Sequence, residues 1–353
     1  MKICTRQICF IMLAYTAVSK VIIYPTFLSS LCGRDLWFPA LFSFAVQAVV
    51  VWAISYLCSR TDKTLFQLIE GTLGNICARI IYGLFGLFFI LGTIMPLIEQ
   101  KLYTHAIFYD TVPSLLVFLP FFMFSVYAAS KKFTNIGRSA DICLPLFVLS
   151  LLFLLVMSLW EVHWDNFLPA FKTPAKDLFG GSLATAYLFF EPCWLLMFMG
   201  HFKYNKWDAT KITASYIGGG LLVMLILFIY YGIYGEAAVS RQFAISKISL
   251  FFPAIDLLGR IDLVALYVLE VVMLFAVVLN IQLAVHCFAE CTGWQNRAAL
   301  SAIVNGILLV LIIVLDSKYN SLSQVFGKWL WIVFLLFATV VPLLSWAMKR
   351  RAK

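Results

Sequence analysis

The chain has 353 residues, of which 63% are apolar and only 12% charged, with a formal net charge of +9. An ordinary soluble domain is about half apolar and a quarter charged, so this composition argues against a soluble globule. The Lys and Arg residues sit in short loops and at the C-terminus rather than along one face, which speaks against nucleic-acid binding.

Charges separated by long apolar runs are the pattern of an all-α polytopic membrane protein. A bilayer offers no water to unpaired backbone groups, so each run must satisfy its own hydrogen bonds as a helix. The short alternating segments of a membrane barrel are missing. In chain order, spans are predicted near 7–31, 36–58, 78–99, 113–130, 142–160, 180–202, 212–234, 262–289, 298–316 and 327–348. Most reach the roughly 20 residues needed to cross; 113–130 is the shortest. Trp37, Trp160, Trp164, Tyr204, Trp207, Trp294, Trp329 and Trp346 mark span ends, as interfacial aromatics do.

Ten spans place both termini on one side. With the N-terminus inside, 16 Lys and Arg fall in inner segments and 9 in outer loops, while Lys20 lies within a span. The bias predicts cytoplasmic termini. The first 31 residues are too long and apolar for a cleaved leader and are read as an uncleaved span. The longest loops, 161–179 and 235–261, are then outside. The second mixes aromatic and aliphatic residues with charges, and reads either as a loop against the outer mouth or as an interfacial amphipathic segment.

Nine Cys residues are scattered with no CxxC pair and no Cys/His spacing for zinc, so neither a disulfide framework nor a metal or other cofactor is expected. No strict GxxxG occurs; the Gly218–Gly219–Gly220 run predicts close packing in the seventh span. No nucleophile–base arrangement, P-loop or HExxH motif is visible, and no enzymatic activity is expected.

Three ionisable residues lie deep inside apolar spans: Lys20, Glu191 and Glu270. Helical rise places them about 20, 17 and 12 Å from the start of their spans, between the midplane and the outer leaflet. A charge at that depth costs at least a few kcal/mol unless paired or hydrated, which makes each a ligand, ion or proton candidate. The structural alternatives are an ion pair, or a Lys20 that snorkels outward. Glu99, after Pro96, reads as either a ligand contact or an interfacial residue. Gln47, Asn280 and Gln282 read as helix–helix hydrogen bonds, and His286 as packing.

Pro192 follows Glu191, and Ser19–Lys20 precede Tyr24–Pro25. Proline removes a backbone donor, so helix breaks are predicted around Ser19 to Pro25 and at Pro192. These breaks fall in the first and sixth spans, the first members of two sets of five. Interrupted helices at matching positions of two halves point to a transporter-type binding site, and an odd set of five makes the second half inverted.

Ordered landmarks carry a family resemblance: GRDLWFP (33–39), TLFQLIEGTLG (64–74), TNIGRSADICLPLF (134–147), NFLPAF (166–171) and SLFFPAIDLLGRIDL (249–263). Across essentially its whole length the chain resembles the GerAB-type family, the permease-like B subunits of bacterial spore germinant receptors. That family belongs to the amino acid–polyamine–organocation transporter group. The resemblance implies one ten-helix permease-like domain of LeuT/APC type, a 5+5 inverted repeat with broken helices one and six. Repeat one would cover about 7–160 and repeat two about 180–348. It further implies a sensor of a small nutrient, often an amino acid, working with a germinant receptor A subunit and a C lipoprotein subunit in the lipid of the spore inner membrane. Ligand-binding residues would be Lys20, Tyr24, Glu99, Glu191 and Glu270. The alternative is a proton-coupled transporter of amino acids or small amines. One departure stands out: relatives carry Gly at the first break, where this chain has AVSKVIIYP (17–25). Lys20 is therefore expected to replace a coupling cation or to pair with an acid.

Overall fold

A computed structural model describes residues 3–59, 62–108, 113–202, 205, 207–241, 244, 248, 262–315, 318–326, 332–333 and 336–337. Among the described residues there is no strand beyond one isolated bridge between Ile3 and Phe202. The helices are α1 (Thr5–Val18), α2 (Tyr24–Cys32), α3 (Trp37–Cys58), α4 (Leu65–Leu73), α5 (Asn75–Phe108), α6 (Ser114–Ala129) and α7 (Phe133–Ser158). They continue with α8 (Ala175–Ala184), α9 (Glu191–Phe198), α10 (Asp208–Tyr234), α11 (Asp262–Thr292), α12 (Arg297–Leu315) and α13 (Tyr319–Val325). Six of these helices, and the interrupted segment Ala175–Phe198 taken as one, are long and apolar enough to cross a membrane. Of the other expected spans, the first is divided into α1 and α2, 113–130 is the short α6, and 327–348 lies almost wholly outside the described residues.

Large apolar side chains cover the outside. On α7, Ile142, Leu146, Leu149, Phe153 and Val156 are exposed at helical spacing, and α12 shows Ile303, Ile307, Val310 and Val314 in the same way. A surface of that kind is stable against lipid and unstable against water. The chain is an integral membrane protein.

The core is built around α1, α5, α10 and α11. Close approach of α10 to α1 depends on the glycine run. A Cβ on Gly219 would stand 2.5 Å from the Leu13 carbonyl oxygen and 2.8 Å from Thr16 Cβ, and one on Gly220 would meet the Phe44 ring at 3.1 Å. Gly218 faces only Leu13 Cδ1 at 3.6 Å, an ordinary contact. Gly219→Ala should therefore destabilise the purified protein by about 1–3 kcal/mol in thermal unfolding, with Gly218→Ala close to neutral. Equal effects of the two would refute this packing account.

Several helices outrun the sequence reading. α7 starts at Phe133 rather than near 142, because its polar first turns have partners: Asp141 accepts from Arg6 at 3.1 Å and from Gln7 at 2.8 Å. α5 extends to Phe108 rather than 99, since Gln100, Lys101 and Thr104 are buried in protein. Residues 64–74 form the short helix α4. Thr64 and Gln67 cap its start reciprocally, and Leu65, Leu68 and Ile69 are its buried side.

Candidate functional site

Two interruptions face each other inside the bundle. α1 ends at Val18 and α2 begins at Tyr24; α8 ends at Ala184 and α9 begins at Glu191, with only a 3-10 turn at Ala186–Leu188 between. Proline explains the register. A proline ring clashes with the carbonyl four residues earlier, so Pro25 disfavours helix around Val21 and Pro192 around Leu188. Both prolines sit in the first turn of the following helix. The break therefore precedes Pro192 rather than occurring at it. Proline alone is not sufficient, since Pro96, Pro120 and Pro145 lie inside α5, α6 and α7. A charged residue stands at each of the two breaks, Lys20 at the first and Glu191 at the second.

Lys20 follows the C-terminal end of α1, where the helix dipole favours a cation, and Glu191 is in the first turn of α9, where it favours an anion. The two side chains form a direct ion pair, Nζ to Oε1, with 0% and 1% of their side-chain surface exposed. Lys20 also donates to Ser19 Oγ at 3.0 Å and lies 4.4 Å from the centre of the Phe189 ring. Glu191 Oε2 is buried without a hydrogen-bond partner among the described residues. Lys20 thus does not snorkel; it joins the two interruptions. Tyr24 is buried against Phe189, with ring centres 6.2 Å apart.

Beside this junction lies a cavity of about 430 Å³, counted with its open mouth. Ser19 and Ile22 of the first break form part of its wall, with Tyr15 from α1, Phe190 and Trp194 at the second break, Glu99 and Gln100 from α5, and Asn280 from α11. Asn280 Oδ1 accepts from Trp194 Nε1 at 2.9 Å, the helix–helix bond expected of it. Tyr15 donates to the carbonyls of Phe275 and Ala276 at 3.0 and 2.6 Å, fixing α1 to α11.

Glu99 is buried, so the interfacial reading is replaced by a place in the cavity wall. Its Oε1 accepts from the Tyr319 hydroxyl at 3.4 Å. Glu270, on α11, accepts from the Thr104 hydroxyl through Oε1, while Oε2 has no partner among the described residues. Gln100 lines the cavity and stands beside Glu270. Lys20 and Glu191 thus meet each other, Glu99 reaches the cavity, and Glu270 lies behind Gln100. The sequence did not single out Gln100, Thr104, Tyr15 or Trp194. Spacing within a uniformly apolar span does not say which side faces a cavity.

Of the 235–261 loop, residues 235–241, 244 and 248 are described. Ala244 N–H donates to the Ile22 carbonyl inside the first break at 3.0 Å, and Thr26 and Tyr230 hydroxyls both donate to the Arg241 carbonyl at 2.6 Å. This part of the loop satisfies backbone that the interruption leaves open. The rest lies outside the described residues. No group of acidic, His and Cys side chains suited to a metal ion occurs among the described residues.

Solved structures share this architecture. A structure entitled MhsT in complex with L-phenylalanine matches with a TM-score of 0.65 at 11% identity, covering 99% of this chain and 98% of that one. A manganese transporter of Eremococcus coleocola, solved in mutant forms, matches with a TM-score of 0.60 at 13–14% identity, covering 96% of this chain and 78% of that one. At such identities the likeness is one of fold. A search of the curated proteins finds no match to the sequence. The family model described as spore germination protein matches residues 2–321. That match runs through both interruptions and the α5 and α11 walls of the cavity, and the chain belongs to the spore germination protein family, the spore permeases.

Proposed function

We propose that this chain is the nutrient-sensing membrane subunit of a spore germinant receptor. It would bind a small nutrient, such as an amino acid or related molecule, near the membrane midplane and signal to partner subunits. The observation that carries this reading is the cavity bounded by both interruptions, in a chain of the spore germination family. A site made of helix ends can change shape when it is filled, because helix halves move more readily than continuous helices. Partners in contact with the subunit would read the shift; they are an A-type subunit and a C-type lipoprotein in the spore inner membrane.

The same reading takes α1 with α2, and α8 with α9, as the first helices of two inverted sets of five. α3 and α10 follow each of them, then α5 and α11, then α6 and α12. α7 closes the first set, and the predicted span at 327–348 closes the second, with both termini cytoplasmic. No part is assigned to enzymatic chemistry.

A strain lacking the gene, screened against a panel of nutrients, should lose germination in response to one nutrient or a small related group while keeping its response to others. Unchanged germination on every nutrient would overturn the receptor reading. Transport by the same fold is the second reading, supported by the likeness to transporters. Concentrative uptake of the nutrient by the purified chain in proteoliposomes would favour transport.

A further inference from the structure

The geometry points to a ligand of one charge type: a small primary amine that carries no carboxylate and has an apolar or aromatic body. The inference rests on the receptor reading and names the class of molecule its cavity takes.

A zwitterionic ligand needs an anion for its ammonium and a cation or free N–H groups for its carboxylate. At the junction of the two interruptions, the chain's own residues already fill both roles. The Lys20 ammonium occupies the C-terminal end of α1 and the Glu191 carboxylate the N-terminal end of α9. Glu191 therefore holds the positive helix end that would otherwise attract a ligand carboxylate. Lys20 is fully engaged by Glu191, Ser19 and the Phe189 face.

The rest of the cavity has one sign. None of its lining residues is Lys, Arg or His, whereas Glu99 is one of them. Glu99 is 6% exposed, and its one hydrogen bond among the described residues is the long contact from Tyr319. Neither Glu99 nor Glu270 forms an ion pair among the described residues. A buried carboxyl ionises only at a cost unless a cation stands beside it, and an arriving ammonium supplies that cation.

Aromatic side chains in the wall would add to this preference wherever a ring face meets the ligand. Trp194 stands between Tyr15 at 4.3 Å and Phe190 at 5.1 Å, both edge-on, and all three line the cavity. Ring faces attract cations and repel anions. Met273, Ala276 and Val277 supply apolar surface for a hydrocarbon body.

Two matched trios provide the test. Phenethylamine, L-phenylalanine and 3-phenylpropionate share one body, and 3-methylbutylamine, L-leucine and 4-methylpentanoate share another. Binding to the purified full-length chain in nanodiscs would be measured by calorimetry and by ligand-dependent thermal shift. The amine of at least one trio should bind tenfold or more tightly than its amino acid, with the carboxylate weakest. Glu99→Gln should weaken that amine at least tenfold. An amino acid or carboxylate that equals its amine overturns the inference, as does a folded Glu99→Gln protein that keeps full amine affinity, or a chain that binds none of the six. The comparison on the unaltered chain needs no variant to fold. None of these outcomes bears on the gene-deletion result, so failure of the charge assignment and failure of the receptor reading are told apart.

Discussion

Lys20→Met should destabilise the purified protein by about 3–5 kcal/mol, because it leaves Glu191 as a lone charge in a site with no solvent. Glu191→Gln should do the same to Lys20. The pair is fully buried, and among the described residues Glu191 has no second ion-pair partner to compensate. The double variant Lys20→Met/Glu191→Met should recover most of the loss, since replacing both members of a buried pair by apolar groups is often neutral or better. A thermal-unfolding double-mutant cycle in detergent measures the coupling directly. Membrane insertion should survive in all three variants, because the apolar spans are unchanged. The germination response should not survive even in the stable double variant, if the pair also holds the two interruptions at the spacing the cavity needs. Single variants as stable as the parent would sink the account of the pair. A double variant that is stable and fully responsive would reduce it to a filler of space.

The candidates of this pair were legible in the sequence, and so was an ion pair as one alternative, but not which acid Lys20 meets. Lys20 and Glu191 stand out because each is a lone charge in an apolar run, but they are separated by 171 positions in sequence. Only the matching positions of the two breaks hinted that they meet. The seven long spans were legible for the same reason as the composition: lipid requires continuous apolar helix. Their ends were harder to read. Asp141, Gln100 and Thr104 look like loop or interface residues by hydropathy, yet each lies in a helix and has a partner on another element or within its own turn. Hydropathy reports what faces lipid, and it undercounts helix whose polar groups face protein. The cavity wall was the least legible part. Tyr15 and Trp194 differ from their lipid-facing neighbours only by rotation about the helix axis, and uniformly apolar helices carry little record of rotation.

The landmark GRD turn has a physical role that yields the second large effect. Asp35 is fully buried and accepts from two backbone N–H groups of the loop after α7: Phe171 at 2.6 Å and Thr173 at 2.9 Å. Thr173 returns a bond from its hydroxyl to the Cys32 carbonyl at 2.9 Å. The loop is held at some cost, since Phe171 adopts a left-handed backbone with φ of 58°, which a bulky residue avoids. Trp37 covers the Phe171 ring at 5.3 Å. Asp35→Ala would remove the acceptor of two part-buried N–H groups while the strain at Phe171 remained, a loss of about 1–3 kcal/mol at 0.5–1.5 for each bond. Asp35→Asn keeps one acceptor oxygen and should cost about half as much. The check is thermal unfolding together with limited proteolysis of the 161–174 loop: Asp35→Ala should be cut fastest and Asp35→Asn at an intermediate rate. The effect should reach the cavity as well. The loop is tied to the end of α2, and α2 begins at the break beside Lys20. Freeing one end of so short a helix loosens the other, so germination should require a higher nutrient concentration in Asp35→Asn. Parent-like proteolysis and response in Asp35→Ala would refute a structural role for this turn.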